Sequence, residues 1–120
     1  MTIGAHIVVM EVTGVDDNVT KVTLTGRLDT PGVEGIETRF VASLVPAGKS
    51  AIVDLSGVEF VASMGIRMLI TVARSLHQRH AKLVLYGPQS LVKTTLESVS
   101  LSEIIPIVGN QAEAIDAVSS

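Results

Sequence analysis

The sequence predicts an α/β domain in which a mixed β-sheet is packed with α-helices. Three observations carry the prediction. Two β-rich runs lie near the start and are separated by turn residues. From residue 29 onward, segments with helical apolar spacing alternate with short apolar runs. No repeat, low-complexity tract or linker divides the 120 residues. A hairpin followed by alternating helix and strand makes the later strands parallel, joined by right-handed helical crossovers. A chain of this length forms one domain, 1–120, and buries roughly two-thirds of the surface its unfolded form exposes.

The runs 6–12 (HIVVMEV) and 19–25 (VTKVTLT) predict strands one and two, with Gly14, Asp16, Asp17 and Asn18 supplying hairpin turn chemistry. Asp29-Thr30-Pro31 is a capping side chain followed by a proline near the first helical position. Val33, Ile36, Phe40, Val41 and Leu44 then continue at helical spacing, and Pro46-Ala47-Gly48 ends the helix. Ala51-Ile52-Val53 predicts a third strand that stops at Asp54, with Ser56-Gly57 breaking the strand period. A second helix opens at Ser63, with an apolar stripe of Ile66, Leu69, Ile70, Ala73 and Leu76. Lys82–Tyr86 is a fourth strand, and Gly87-Pro88 opens a helix with inner face Leu91, Leu96 and Val99. Leu101, Ile104, Ile105 and Ile107 form an apolar connection and a short strand. Asn110 to Glu113 starts a last short helix like a capping box, and that helix carries Ile115 and Val118.

Composition excludes several classes. The chain has no cysteine, so disulfides, thiolate catalysis and cysteine-ligated metals are ruled out, in keeping with a reducing cytoplasm. A net charge of −3 and only Phe40, Phe60 and Tyr86 as aromatics leave neither a basic footprint nor stacking platforms for nucleic acid. The first residues do not form a secretory leader, and no apolar run approaches the ~18 residues of a spanning helix. The expectation is a cytoplasmic protein without membrane insertion. Neither Gly-x-Gly-x-x-Gly nor Gly-x-x-x-x-Gly-Lys-Ser/Thr occurs, so a nucleotide enzyme has little support.

Among candidate sites, His77 and His80 lie three apart at the end of the second helix without a carboxylate partner. Solvated imidazoles favoured by the helix dipole explain them better than a metal. A triad of Ser63, a histidine and Asp54 fails because no Gly-x-Ser-x-Gly elbow is present and His77 lies about 21 Å along the same helix. No cofactor is expected. Asp29 reads equally as a helix cap and as a site residue. Met64 and Met68, off the predicted stripe and beside Arg67, read either as core or as a small apolar partner surface. Ser63 takes an N-cap position, where free amides and the helix dipole favour a phosphate carried on its oxygen. A plain structural cap is the competing reading.

The segment 53–69 (VDLSGVEFVASMGIRML) resembles the STAS domain signature of anti-sigma factor antagonists, and Leu24-Thr25-Gly26-Arg27-Leu28-Asp29 is similar to that family's Leu-Thr-Gly-Glu-Leu-Asp element. The resemblance extends over nearly the whole chain. It implies a binding switch rather than an enzyme. The partner it implies is an anti-sigma factor and serine kinase of the histidine-kinase-like ATPase type, which would phosphorylate Ser63. The unphosphorylated antagonist binds that partner and frees a sigma factor. The same matching puts Asp29 near the phosphorylation site and has Gly65 open the helix start to a partner or nucleotide. With Ser63, Met64, Arg67 and Met68, which share the first two turns of the helix away from the expected core stripe, these residues make the expected partner surface. Two positions depart from the pattern, Ala62 where relatives carry an acid before the serine and Arg27 in place of glutamate. The alternative is a STAS interaction module outside sigma control, in a lipid- or anion-transport complex or a scaffold.

Overall fold

The computed structural model describes residues 8–119. Five strands form one sheet in the order β1-β2-β3-β4-β5: β1 (Val9–Asp16), β2 (Val19–Leu28), β3 (Ser50–Val61), β4 (Leu83–Tyr86) and β5 (Ile107–Val108). β1 pairs antiparallel with β2, and every later pair is parallel. The helices are α1 (Thr30–Leu44), α2 (Ser63–Gln78), α3 (Ser90–Ser98) and α4 (Gln111–Ser119), with a 3-10 turn at Leu101–Glu103. The expected mixed α/β architecture is therefore present. The start of the first expected strand, His6 and Ile7, lies outside the described residues.

Parallel strands laid down in sequence and joined by right-handed crossovers must place every crossover helix on the same face. Accordingly α1, α2 and α3 share one apolar core with the sheet, built around Leu24, Leu28, Phe40, Val53, Leu69 and Leu85. Among the described residues α4 alone covers the other face, where Ala114 and Val118 pack on Val19, Ile52, Val84 and Tyr86. Its start is a reciprocal cap. Asn110 Oδ1 accepts from the Glu113 amide at 2.9 Å, and Glu113 Oε1 accepts from the Gly109 amide at 2.9 Å.

Three local expectations are corrected. β3 does not stop at Asp54; it runs through Ser56-Gly57 to Val61 as a twelve-residue strand with two bulges. Between the pairs Thr23↔Asp54 and Thr25↔Gly57, β3 carries one residue more than β2, and it does so again between Gly26↔Val58 and Arg27↔Phe60. Asp54 Oδ1 accepts from the Ser56 amide at 2.9 Å and hydroxyl at 2.7 Å, so the turn-forming pair makes a bulge instead of an end. In α3 the inner residues are Val92 and Leu96, while Leu91 and Val99 are exposed. The helix begins only at Ser90, after Gly87 in a left-handed conformation, and this later start turns the i, i+4 pair 92/96 inward.

The third correction concerns α2. Its buried residues are Gly65, Met68, Leu69, Val72 and Leu76, so the inward stripe is rotated by nearly one residue from Ile66, Leu69, Ile70, Ala73 and Leu76. Apolar residues occupy a wide arc of this helix, and spacing alone leaves its rotation open. Gly65 closes the question. A Cβ there would lie 3.0 Å from Leu28 Cβ and 3.1 Å from Leu28 O, so only glycine lets the helix seat this closely on the end of β2.

Candidate functional site

The site is built where β2 and β3 leave the sheet together. Leu28 and Val61 are register partners, and the Ala62 amide donates to the Leu28 carbonyl at 3.0 Å. One residue after the end of each strand stands the N-cap of a helix, so α1 and α2 present adjacent N-termini at the same end of the sheet. Asp29 starts the first as a true N-cap, its Oδ1 accepting from the Gly32 amide at 2.9 Å. Its other oxygen, Oδ2, accepts from Arg27 Nε at 3.3 Å. The Arg27 guanidinium also lies over the Phe60 ring, 4.5 Å from its centroid, which fixes the cation at the rim.

The second helix starts differently from expectation. Its N-cap is Ala62, which offers no side-chain acceptor, and Ser63 is the first helical residue. The amides of Gly65 and Ile66 donate to the Ala62 carbonyl at 2.9 and 3.2 Å. Among the described residues, neither the Ser63 and Met64 amides nor the Ser63 hydroxyl has a hydrogen-bond partner. Ser63 is thus exposed with its hydroxyl uncommitted, beside two free first-turn donors at the positive end of a sixteen-residue helix.

Along the solvent side of α2, Ser63, Arg67, Thr71, Arg74 and Gln78 follow one another at three- and four-residue steps and are all exposed. The helix contains no Asp or Glu, so its outer stripe is purely cationic in a chain of net charge −3. Met64 is half-buried at the edge of this stripe, packed against the core. Of the predicted site residues, the structure brings Asp29, Ser63, Met64 and Arg67 to one surface. Gly65 and Met68 are corrected. Gly65 is sealed beneath the helix against Leu28, and Met68 is fully buried in the core. Both support the surface from below and neither forms it. Arg27 and Phe60 were not singled out as a contacting pair because cross-strand pairing becomes visible only when the second bulge sets the register Arg27↔Phe60.

A second polar cluster sits on the α4 face. Gln111 Oε1 accepts from Lys21 Nζ at 2.8 Å and from the Tyr86 hydroxyl at 3.1 Å. Asp54 is the register partner of Tyr86. Burial, and then the neighbouring Asp54 carboxylate, push the Tyr86 hydroxyl up to about 12. Asp54 therefore belongs to a structural network around Ser56, Tyr86 and α4. No group of three potential metal-ligating side chains occurs among the described residues.

The model of the STAS domain matches residues 10–114. The chain belongs to the STAS domain family. A Bordetella bronchiseptica relative named as an anti-sigma factor antagonist, BtrV, is 24% identical over 94 residues, covering 78% of this chain and 81% of its own. Among solved structures, the Thermotoga maritima protein TM1081, described as an anti-sigma factor antagonist, superimposes with a TM-score of 0.84 at 19% identity over 92% of this chain and 95% of its own. The anti-sigma factor antagonist SpoIIAA gives a TM-score of 0.77 at 21% identity over 92% of this chain and 96% of its own in its unphosphorylated form. Its phosphorylated form, from Bacillus, gives 0.68 at 20% identity over 92% and 99%. These likenesses establish the STAS fold. No helix among the described residues is long and apolar enough to cross a membrane.

Proposed function

We propose that this STAS domain is an anti-sigma factor antagonist of the cytoplasm. In this reading it binds an anti-sigma factor through the surface made by the starts of α1 and α2, and phosphorylation of Ser63 switches that binding off. The observation that carries it is the Ser63 hydroxyl itself, exposed at the first position of α2 with no internal partner. A structural cap has its oxygen engaged with an amide of the first turn, and this one does not. The relatives named as antagonists and the two phosphorylation forms of SpoIIAA support the same reading.

The role is binding rather than catalysis. Among the described residues Ser63 has no hydrogen-bonded base, and Asp54, the carboxylate a triad would need, is bonded to Ser56. The covalent chemistry falls to the partner, a serine kinase of the histidine-kinase-like ATPase type. The Arg27–Asp29 pair and the unpaired Arg67 would flank the docked partner and set its orientation by charge. A phosphate brings about −1.5 to −2 charges to the helix start, where free amides and Arg67 receive it, so the domain stays folded. Within a docked surface beside Met64 the same charge must be desolvated, and the complex weakens.

The test uses the purified anti-sigma factor in complex with its sigma factor. Adding the unphosphorylated domain is expected to release sigma in proportion to the domain added. Full retention of sigma, with no domain bound, would contradict the reading and leave an interaction module outside sigma control.

A further inference from the structure

At the far end of α2, about 21 Å from Ser63 by helical rise, the helix and the segment leading into β5 leave a groove of about 430 Å³. Its floor is Ala81 and Leu83, both buried, and its walls are Ala73 on one side and Ile104 and Pro106 on the other. Ile104 is 47% exposed, whereas the other isoleucines among the described residues are buried or half-buried. The rim carries two cations, Arg74 and Lys82. Arg74 and His77 lie one turn apart on the same side of α2, and Lys82 closes the end, its Nζ also directed to the Ala117 carbonyl at 3.5 Å. No carboxylate lines the groove.

The volume falls within the range of small-molecule sites, which combine mostly apolar walls with a few convergent polar groups. An apolar trough with positive charge gathered at one rim suits a ligand that is apolar along its length and anionic at one end. We propose that this groove binds a single-chain organic anion, with the alkyl tail along Leu83, Ile104 and Pro106 and a carboxylate or phosphate head against Arg74 and His77. Guanidinium and imidazole donors recognise either head, so the shared chemistry is an anionic group on a flexible apolar chain. The site is independent of Ser63 and stands whether or not Ser63 is a phosphorylation site.

The experiment is a heteronuclear NMR titration of the whole protein with decanoate and with decyl phosphate below their micellar concentrations. Decanol, decyltrimethylammonium and inorganic phosphate are the controls. The proposal expects both anions to saturate one site with shifts confined to the second half of α2, residues 81–83 and residues 104–106. It expects decanol to bind at least about tenfold more weakly, and the cation and inorganic phosphate not to bind. Arg74→Glu, an exposed change, should lower decanoate affinity about tenfold or more, and Ala73→Trp should block the groove, both with unchanged circular dichroism. Equal binding of decanol, saturation outside the groove, indifference to Arg74→Glu, or association only with vesicles containing the anion would each overturn it.

Discussion

The amide of Ala62 and the carbonyl of Leu28 are joined at 3.0 Å, and this bond ties the start of α2 to the start of α1. Two helices that belong to separate crossovers thereby share one surface, with Asp29 and Ser63 each one residue beyond the tie. Gly65 sits directly above the same carbonyl, so the geometry of the candidate site depends on a residue that never reaches solvent.

Gly65→Ala is expected to destabilise the domain by about 1–2 kcal/mol, because the clash with Leu28 outweighs the propensity gain of alanine in a helix. The matched control is Gly35→Ala in α1, where an added Cβ meets nothing within 4 Å. That change should stabilise by about 0.5–1 kcal/mol. Urea denaturation of the two variants checks both signs, and stabilisation by both would show that Gly65 is not held against β2.

Met68 lies fully buried, so Met68→Ala should cost about 2–5 kcal/mol and Met68→Asp should unfold the domain, whereas Met68→Leu should change little. Circular dichroism and denaturation midpoints read this directly. A folded, stable Met68→Asp protein would return Met68 to the surface.

Asp29 has two jobs that separate by mutation. Asp29→Ala removes the α1 cap at a cost of about 1 kcal/mol, and Asp29→Asn keeps a capping oxygen while weakening the pair with Arg27. Stability should fall only for alanine, whereas partner affinity should respond to both. Equal stability loss in the two variants would make the ion pair, not the cap, the structural element.

Tyr86 is the chain's single tyrosine, so tyrosinate absorbance reports it alone. Its hydroxyl is raised from 10.0 to about 12 in the folded protein. The folded state therefore holds this proton to higher pH than the unfolded state. The associated stability is fully present below pH 10 and is lost as pH rises from about 10 to about 12. Burial is the largest single cause and Asp54 adds to it, so Asp54→Asn should bring the titration midpoint down only part of the way. A midpoint near 10 in the native wild type would contradict the packing of α4 over Tyr86.

Much of this molecule was legible in the sequence because the signals were local. The Asp29-Thr30-Pro31 start and the Asn110–Glu113 box name their own hydrogen bonds, and the stripe Val33, Ile36, Phe40, Leu44 is buried as its spacing requires. What escaped depends on contacts between elements distant in the chain. Ser56-Gly57 has turn composition, yet pairing with β2 carries the strand through it as a bulge. The rotation of α2, and with it the fate of Gly65 and Met68, is set by Leu28, far away in sequence. The exposure expected of the proposed site residues holds where it needed no tertiary information, as at Ser63 and Arg67. It fails where a helix face had to be chosen.

The central claim is the Ser63 switch, and calorimetric titration of the purified anti-sigma factor tests it most directly. The titrants are the unphosphorylated domain, the domain phosphorylated at Ser63 as verified by mass spectrometry, and the Ser63→Ala variant. The account predicts tight binding by the unphosphorylated and Ser63→Ala proteins. It predicts an affinity about a hundredfold lower for the phosphorylated protein, equivalent to ~3 kcal/mol, with its fold intact by circular dichroism. Equal affinities for all three, or no phosphate on Ser63 after incubation with the partner kinase and ATP, would contradict it.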